Sequence, residues 1–352
     1  MESQEGASLN NEAKDLRNYN YEVDGISIKL TCREFTPSNK EFPSNKAIIF
    51  LPGWSMGASA NSGEKLSQSF TDSSGEKTYS IVSRAESIVP DSLFKEAEAI
   101  SRFIEDNGLK EVTIGGHSEG GSKAIYLVSL LQDKIKIKGL ILLDTPSLFN
   151  LEGLVGKFAK DTFVYTLPHN IKDQYKGLKR GQTLTKAEIA KSLLSRTGST
   201  IGAGIDIMKG VAKELKLSHS DYLERLKSQI QEMERKNSNI PRIKVPVVII
   251  SGAKDPLSPR DKIVPKAEED KAVQDYLKRI ESDLSETDST AIIRGAYLKE
   301  NLFLESPYVR AIFPEKFGHH GLPLFRPESV AKVSLYLLER YSRNPSSFDK
   351  RS

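Results

Sequence analysis

One stretch constrains this chain more than any other: residues 110 to 132, KEVTIGGHSEGGSKAIYLVSLLQ. Val112, Thr113 and Ile114 form a β-branched run of the kind that fills a buried strand. Ser122 to Leu131 carries helix formers with apolar residues at helical spacing. Only GHSEG separates the two, with Ser118 at its centre. A strand that turns into a helix within so few residues forces its central residue into a strained backbone conformation. Gly116 and Gly120 on either side leave room where a Cβ would collide with the neighbouring strand and helix. Ser118 is thereby expected to hold its hydroxyl up at the carboxyl edge of a sheet, as a nucleophile. The N–H of Glu119 falls at a helix N-terminus, where partial positive charge favours a developing oxyanion.

The surrounding chain alternates strands with helices, which specifies a largely parallel sheet covered on both faces. Tyr21 to Phe35 reads as two antiparallel strands joined at Asp24 and Gly25. Ala47 to Leu51 is a continuous apolar run, as in a central parallel strand, and it stops sharply at PGWSMGAS. Glu64 to Phe70 predicts a short helix, Thr78 to Ser83 a strand, and Pro90 to Asn107 an amphipathic helix closed by Gly108. After the serine segment come the strands Gly139 to Leu143 and Val245 to Ile250, then a last strand over Tyr308 to Phe313 and a closing helix over Glu328 to Tyr341. AEEDKAVQDYLKRIESDLSE, between the last two strands, predicts one exposed helix with mixed-sign charge pairs.

Each of the two middle strands ends in an aspartate. Asp144 follows Leu143, and Asp255 lies in SGAKDPLSP just past Ile250. A carboxylate at such a strand end can orient an imidazole in the same site, and Asp255, beside the turn made by Gly252 and Pro256, is the better placed. Asp144 stays open as the rival, with helix capping as its plainer role.

Four segments, IIFLPGWSMG, TIGGHSEGG, VVIISGAKDPLSP and FGHHGLP, resemble the α/β-hydrolase superfamily. They lie in the order that family uses for its oxyanion loop, serine, acid and histidine, and about two thirds of the chain can be placed on its fold. The resemblance implies a mostly parallel sheet with helices on both faces and an inserted helical cap. It implies a Ser118, Asp255 and His319 triad, with His320 as the close rival of His319. It also implies a second oxyanion N–H from Trp54 beside that of Glu119, although Pro52 stands where many members carry histidine. The domain expectation is a flexible tail over 1–18, a core over 19–146 and 243–342, a cap or lid over 147–242, and a flexible tail over 343–352.

The activity expected is hydrolysis of a carboxylic ester, esterase or lipase-like, through an acyl-enzyme. Amide or peptide hydrolysis, acyl transfer, and a ligand-binding protein that keeps the fold without catalysis are the alternatives. The partner is then a small-molecule ester or acyl substrate. No cofactor is expected: there is no nucleotide loop, and the adjacent pair His319 and His320 lacks further ligand spacing for a metal.

Composition narrows the remaining classes. With 51 Lys and Arg against 47 Asp and Glu in 352 residues, the net charge of +4 is too small to imply a nucleic-acid partner. The single cysteine, Cys32, excludes an internal disulfide and sits in an alternating strand pattern as a packing residue. Residues 145–245 carry 18 Lys and Arg against 10 Asp and Glu, a surplus of +8. That basic cap could attract an anionic membrane surface weakly, or could be a solvated helical face. The first 18 residues have no apolar core and no stretch reaches the roughly 20 apolar residues of a membrane span, so a soluble, cytoplasmic protein is expected.

Overall fold

The computed structural model describes residues 16–37, 45–53, 61–85, 91–145, 232, 241–253, 255, 286–314 and 326–343. Eight strands form one sheet in the order β1-β2-β4-β3-β5-β6-β7-β8. They are β1 (Leu16–Val23), β2 (Ile26–Phe35), β3 (Lys46–Leu51), β4 (Lys77–Ala85), β5 (Glu111–His117), β6 (Lys136–Leu143), β7 (Val247–Ile250) and β8 (Val309–Ile312). The first three in spatial order pair antiparallel, and every later pair is parallel. Among the described residues they are accompanied by α1 (Asn61–Ser74), α2 (Ser92–Asp106), α3 (Glu119–Leu131), α4 (Glu286–Asn301) and α5 (Pro327–Arg343).

The expected hairpin turns at Asp24 and Gly25, both with positive φ (50° and 73°). β1 begins at Leu16, so that its first three residues fall within the expected tail, because its pairing with β2 continues to Leu16 opposite Arg33. The closing helix runs to Arg343, one residue into the expected C-terminal tail.

Successive strand residues face opposite sides, so the sheet divides the core in two. Ala47, Ile49, Leu51, Val112, Ile114, Leu140 and Leu142 pack with Ala97, Ile100 and Phe103 of α2, with Ala124, Leu127 and Val128 of α3, and with Leu298 of α4. On the other side Ile48, Phe50, Ile141, Leu143, Val248 and Ile250 pack with Leu66 and Phe70 of α1 and with Val330, Ala331, Leu337 and Leu338 of α5. Central strands buried on both faces explain the unbroken apolar runs in the sequence.

α4 was not expected: the exposed helix was expected over residues 267–286, of which 267–285 lie outside the described residues. α4 packs along β8, and Gly295 is where they meet, since a Cβ there would lie 2.1 Å from the Val309 carbonyl oxygen. The cap over 147–242 also lies outside the described residues, apart from Glu232 and residues 241–242. Glu232 is helical and fully buried, and its carboxylate accepts the N–H groups of Leu93 (3.1 Å) and Phe94 (3.2 Å) at the start of α2. It satisfies donors that a helix N-terminus leaves open, and its charge suits the positive end of the helix dipole. Asp91, the residue before α2, makes no side-chain cap of its own.

Candidate active site

The parallel strands end level with one another. Leu51 of β3 pairs with Gly116 of β5, His117 of β5 with Leu143 of β6, Leu143 with Ile250 of β7, and Ile250 with Ile312 of β8. The segments that follow these strands therefore start along one edge, where open α/β sheets place their sites. Backbone hydrogen bonds lace them together beyond the ladder. Ser118 N–H donates to Leu143 O (2.9 Å), Asp144 N–H to Ile250 O (3.0 Å), Ser251 N–H to Ile312 O (3.1 Å) and Ala253 N–H to Pro314 O (3.1 Å).

Ser118 is the single residue between β5 and α3, with φ 53° and ψ −125°. That backbone region is sparsely populated by residues with a Cβ and persists only where the surroundings fix it. Three glycines do so by packing. A Cβ on Gly116 would lie 2.2 Å from the Gly120 carbonyl oxygen, one on Gly120 would lie 2.0 Å from the Leu51 carbonyl oxygen, and one on Gly121 would lie 2.0 Å from Thr145 Oγ1. The first two obstacles are backbone, so the reversal from strand to helix is possible only with glycine at these positions. The Gly121 N–H donates to Ser118 O at 2.9 Å and starts the helix. Ser118 stays partly exposed while both neighbours are buried, which leaves its side chain the accessible one at the turn.

Gly53 reaches the same place from β3. A Cβ on Gly53 would come within 2.9 Å of the Ser118 Cβ and 3.1 Å of His117 Nδ1. The chain leaving β3 thus passes directly over the serine turn. Trp54, expected as the second oxyanion donor, lies outside the described residues.

The two aspartates take different positions. Asp144, fully buried with φ 44°, turns its carboxylate into the neighbouring loop, where Oδ1 accepts the Gly252 N–H at 2.9 Å. Its Oδ2 lies 3.8 Å from His117 Nε2, beyond hydrogen-bond distance. Asp255 is also buried, and its N–H donates to Gly252 O at 3.0 Å, closing the turn that Asp144 holds. Asp144 is therefore a brace between the end of β6 and the loop that carries Asp255. His319 and His320 lie outside the described residues.

One group near the serine was missed from the sequence. Lys123, one turn along α3 from Glu119, is buried and lies 2.7 Å from Glu119 Oε1 and 2.6 Å from Glu96 Oε2 of α2. The signal available was the i,i+4 spacing of Glu119 and Lys123 in a helix otherwise apolar toward the sheet. Among the described residues no group of three His, Cys, Asp or Glu side chains is placed to hold a metal ion. No described helix is long and apolar enough to cross a membrane.

No protein-family model matches the chain, and no curated protein sequence matches it either. Its likeness is to solved structures. A probable hydrolytic enzyme from Pseudomonas aeruginosa PAO1 superposes with a TM-score of 0.51 at 13% identity, covering 94% of this chain and 95% of its own. A thermophilic esterase from Thermogutta terrifontis superposes with a TM-score of 0.50 at 13% identity, covering 92% of this chain and 98% of its own. At these identities the likeness is one of fold.

Proposed function

This chain has the α/β-hydrolase fold, and from that premise we propose that it is a serine hydrolase acting on carboxylic esters through an acyl-enzyme. The observation that carries the proposal is the backbone of Ser118, with φ 53° and ψ −125° between β5 and α3. A strained, glycine-packed turn that exposes one hydroxyl beside a helix N-terminus has a direct use in nucleophilic catalysis.

In this reading Ser118 Oγ attacks the ester carbonyl carbon while His319 takes its proton. Collapse of the tetrahedral intermediate expels the alcohol, which receives that proton from His319. Water, deprotonated by His319, then releases the acid and frees Ser118. Asp255 orients the imidazole and stabilises its charged form. The Glu119 and Trp54 N–H groups hold the oxyanion, and one such donor is worth about 3 kcal/mol in the transition state. Asp255 is preferred to Asp144 because the Asp144 carboxylate is committed to the Gly252 N–H, inside the loop that brings Asp255 to the site. The basic surplus of the segment between β6 and β7, 18 Lys and Arg against 10 Asp and Glu over residues 145–245, would favour weak contact with an anionic vesicle surface. Binding to anionic vesicles that weakens with salt would report it, and salt-insensitive or absent binding would remove it.

The test is fluorophosphonate labelling of the wild type and Ser118→Ala, beside hydrolysis of a short-to-long acyl ester series. Labelling of the wild type and none of the variant is expected, with the chain-length profile naming the substrate class. A folded wild type that neither labels nor hydrolyses any ester would leave a ligand-binding role on the same fold.

A further inference from the structure

The start of α3 carries charge where a helix packed on a sheet ordinarily buries only apolar side chains. Glu119 and Lys123 are both buried, and Lys123 joins Glu119 (2.7 Å) to Glu96 of α2 (2.6 Å). Glu96 is itself pinned at the end of β4: its carboxylate accepts the Ser83 O–H at 2.9 Å and the Ala85 N–H at 3.2 Å. Lys123 Nζ also donates to Ser83 O at 3.4 Å. A continuous polar row thus runs from the end of β4, through α2, to the residue that follows Ser118.

Such a row is costly to bury, since charges leave water and two carboxylates face one ammonium. Burial, and after it the neighbouring Glu96, hold the Glu119 carboxyl above its ordinary range, against the opposing pull of Lys123 and Arg84. Burial opposes the Lys123 charge, but Glu119 and Glu96 outweigh it and hold the ammonium above its ordinary range. Lys123 is therefore charged at neutral pH. Burial favours the protonated form of Glu119 and the Lys123 ammonium favours the ionised one; once ionised, a carboxylate on the very residue whose N–H is to receive an oxyanion would repel that oxyanion unless it were directed away and compensated.

We propose that Lys123 is a positioning residue of the active site: it draws the Glu119 carboxylate one helical turn away from Ser118 and balances its charge from a Glu96 anchor, so that the Glu119 N–H can serve an oxyanion. The proposal rests on the acyl-enzyme reading above. It assigns the buried triad to catalysis, where burial alone would assign it to packing.

The test uses the full-length protein with a fluorophosphonate probe and a p-nitrophenyl ester of short acyl chain. Lys123→Met keeps most of the volume and removes the charge. Without Lys123 the Glu119 carboxyl holds its proton to higher pH, so the expected result is a pH-dependent loss: rates near wild type while Glu119 is protonated, and a drop of about tenfold in phosphonylation rate and in kcat as the pH rises and it ionises, with KM changed less than about twofold. Adding Glu119→Gln should restore both rates to within about threefold of the wild type, since the unbalanced carboxylate is then gone. A folded Lys123→Met protein with wild-type rates across that pH range overturns the proposal. So does a loss that Glu119→Gln fails to repair, which would make Lys123 a packing residue. Should Lys123→Met alone not fold, the Glu119→Gln/Lys123→Met pair decides: rates near wild type support the proposal, and a folded pair slower by about tenfold or more overturns it. A wild type that does not label at all overturns the hydrolase reading itself, before any Lys123 variant is read.

Discussion

At Gly120 the size of one methyl group decides whether the serine turn can exist. A Cβ there would stand 2.0 Å from the Leu51 carbonyl oxygen and 2.7 Å from that of Pro52, both backbone atoms that cannot rotate aside. Gly120→Ala is therefore expected to destabilise the protein by about 3 kcal/mol or more and to abolish labelling of Ser118, measured by urea unfolding and probe incorporation. Ser118 carries the opposite lesson. Its φ of 53° strains any residue with a Cβ, so Ser118→Gly should be about 1 kcal/mol more stable than Ser118→Ala, with both inactive. Asp144→Ala should cost about 2 kcal/mol by leaving the buried Gly252 N–H without its carboxylate, whereas Asp255→Asn should lower kcat by about 10⁴ at nearly unchanged stability. Ser118 and its glycines were legible in the sequence because a strand, a five-residue reversal and a helix leave little freedom. The bond from the Gly252 N–H to Asp144 was not legible, since Asp144 and Asp255 both follow a strand end and only the direction of the Asp144 carboxylate distinguishes its surroundings. The Glu96 and Lys123 contact was not legible, because the two lie 27 positions apart in sequence and only the packing of α2 beside α3 brings them together.

Among elements, the central strands read clearly because burial on both faces leaves nothing but apolar side chains in them. α4 did not, and its composition gives the reason. Glu286–Asn301 contains serine, two threonines, two adjacent isoleucines and a mid-helix glycine, none of which favours a helix on its own. Packing supplies what propensity lacks: Gly295 lets the helix settle directly on the Val309 carbonyl. The connection from the inserted segment to α2 is likewise tertiary. Glu232 caps α2 from 139 residues away, and sequence adjacency offers no trace of it. Glu232→Ala is expected to cost about 2 kcal/mol, because it removes a charged acceptor shared by two buried helix-terminal donors. Hydrogen exchange would locate the effect, with protection lost first at the amides of Leu93 and Phe94 and little change at β5.

For the molecule as a whole, the interior sets a limit on alkaline conditions. Burial pushes the Cys32 thiol up from 9.0 to about 12 and, in the same way, the Tyr79 hydroxyl from 10.0 to about 12. Both groups hold their protons more tightly folded than unfolded. Their contribution to stability is thus complete below pH 9 and is lost as the pH climbs toward 12. Denaturant midpoints should accordingly fall across that interval. At neutral pH a thiol reagent should modify buried Cys32 only when the sheet opens, so labelling under native conditions should be far slower than that of an exposed thiol.

The second face of the sheet has a consequence for biosynthesis. Leu337 and Leu338 of α5 close over Phe50, Ile141 and Leu143, and Leu338 lies so near Gly139 that a Cβ there would come within 2.5 Å of it. Most of the other face is covered by α2 and α3, which the ribosome delivers some 200 residues earlier, and α4 completes it. A nascent chain can therefore begin to assemble that half of its core while translation continues, yet the part of the second face that α1 does not cover stays open until α5 has emerged. This is the interval in which it most needs a chaperone, and a premature stop before Val330 would make that exposure permanent.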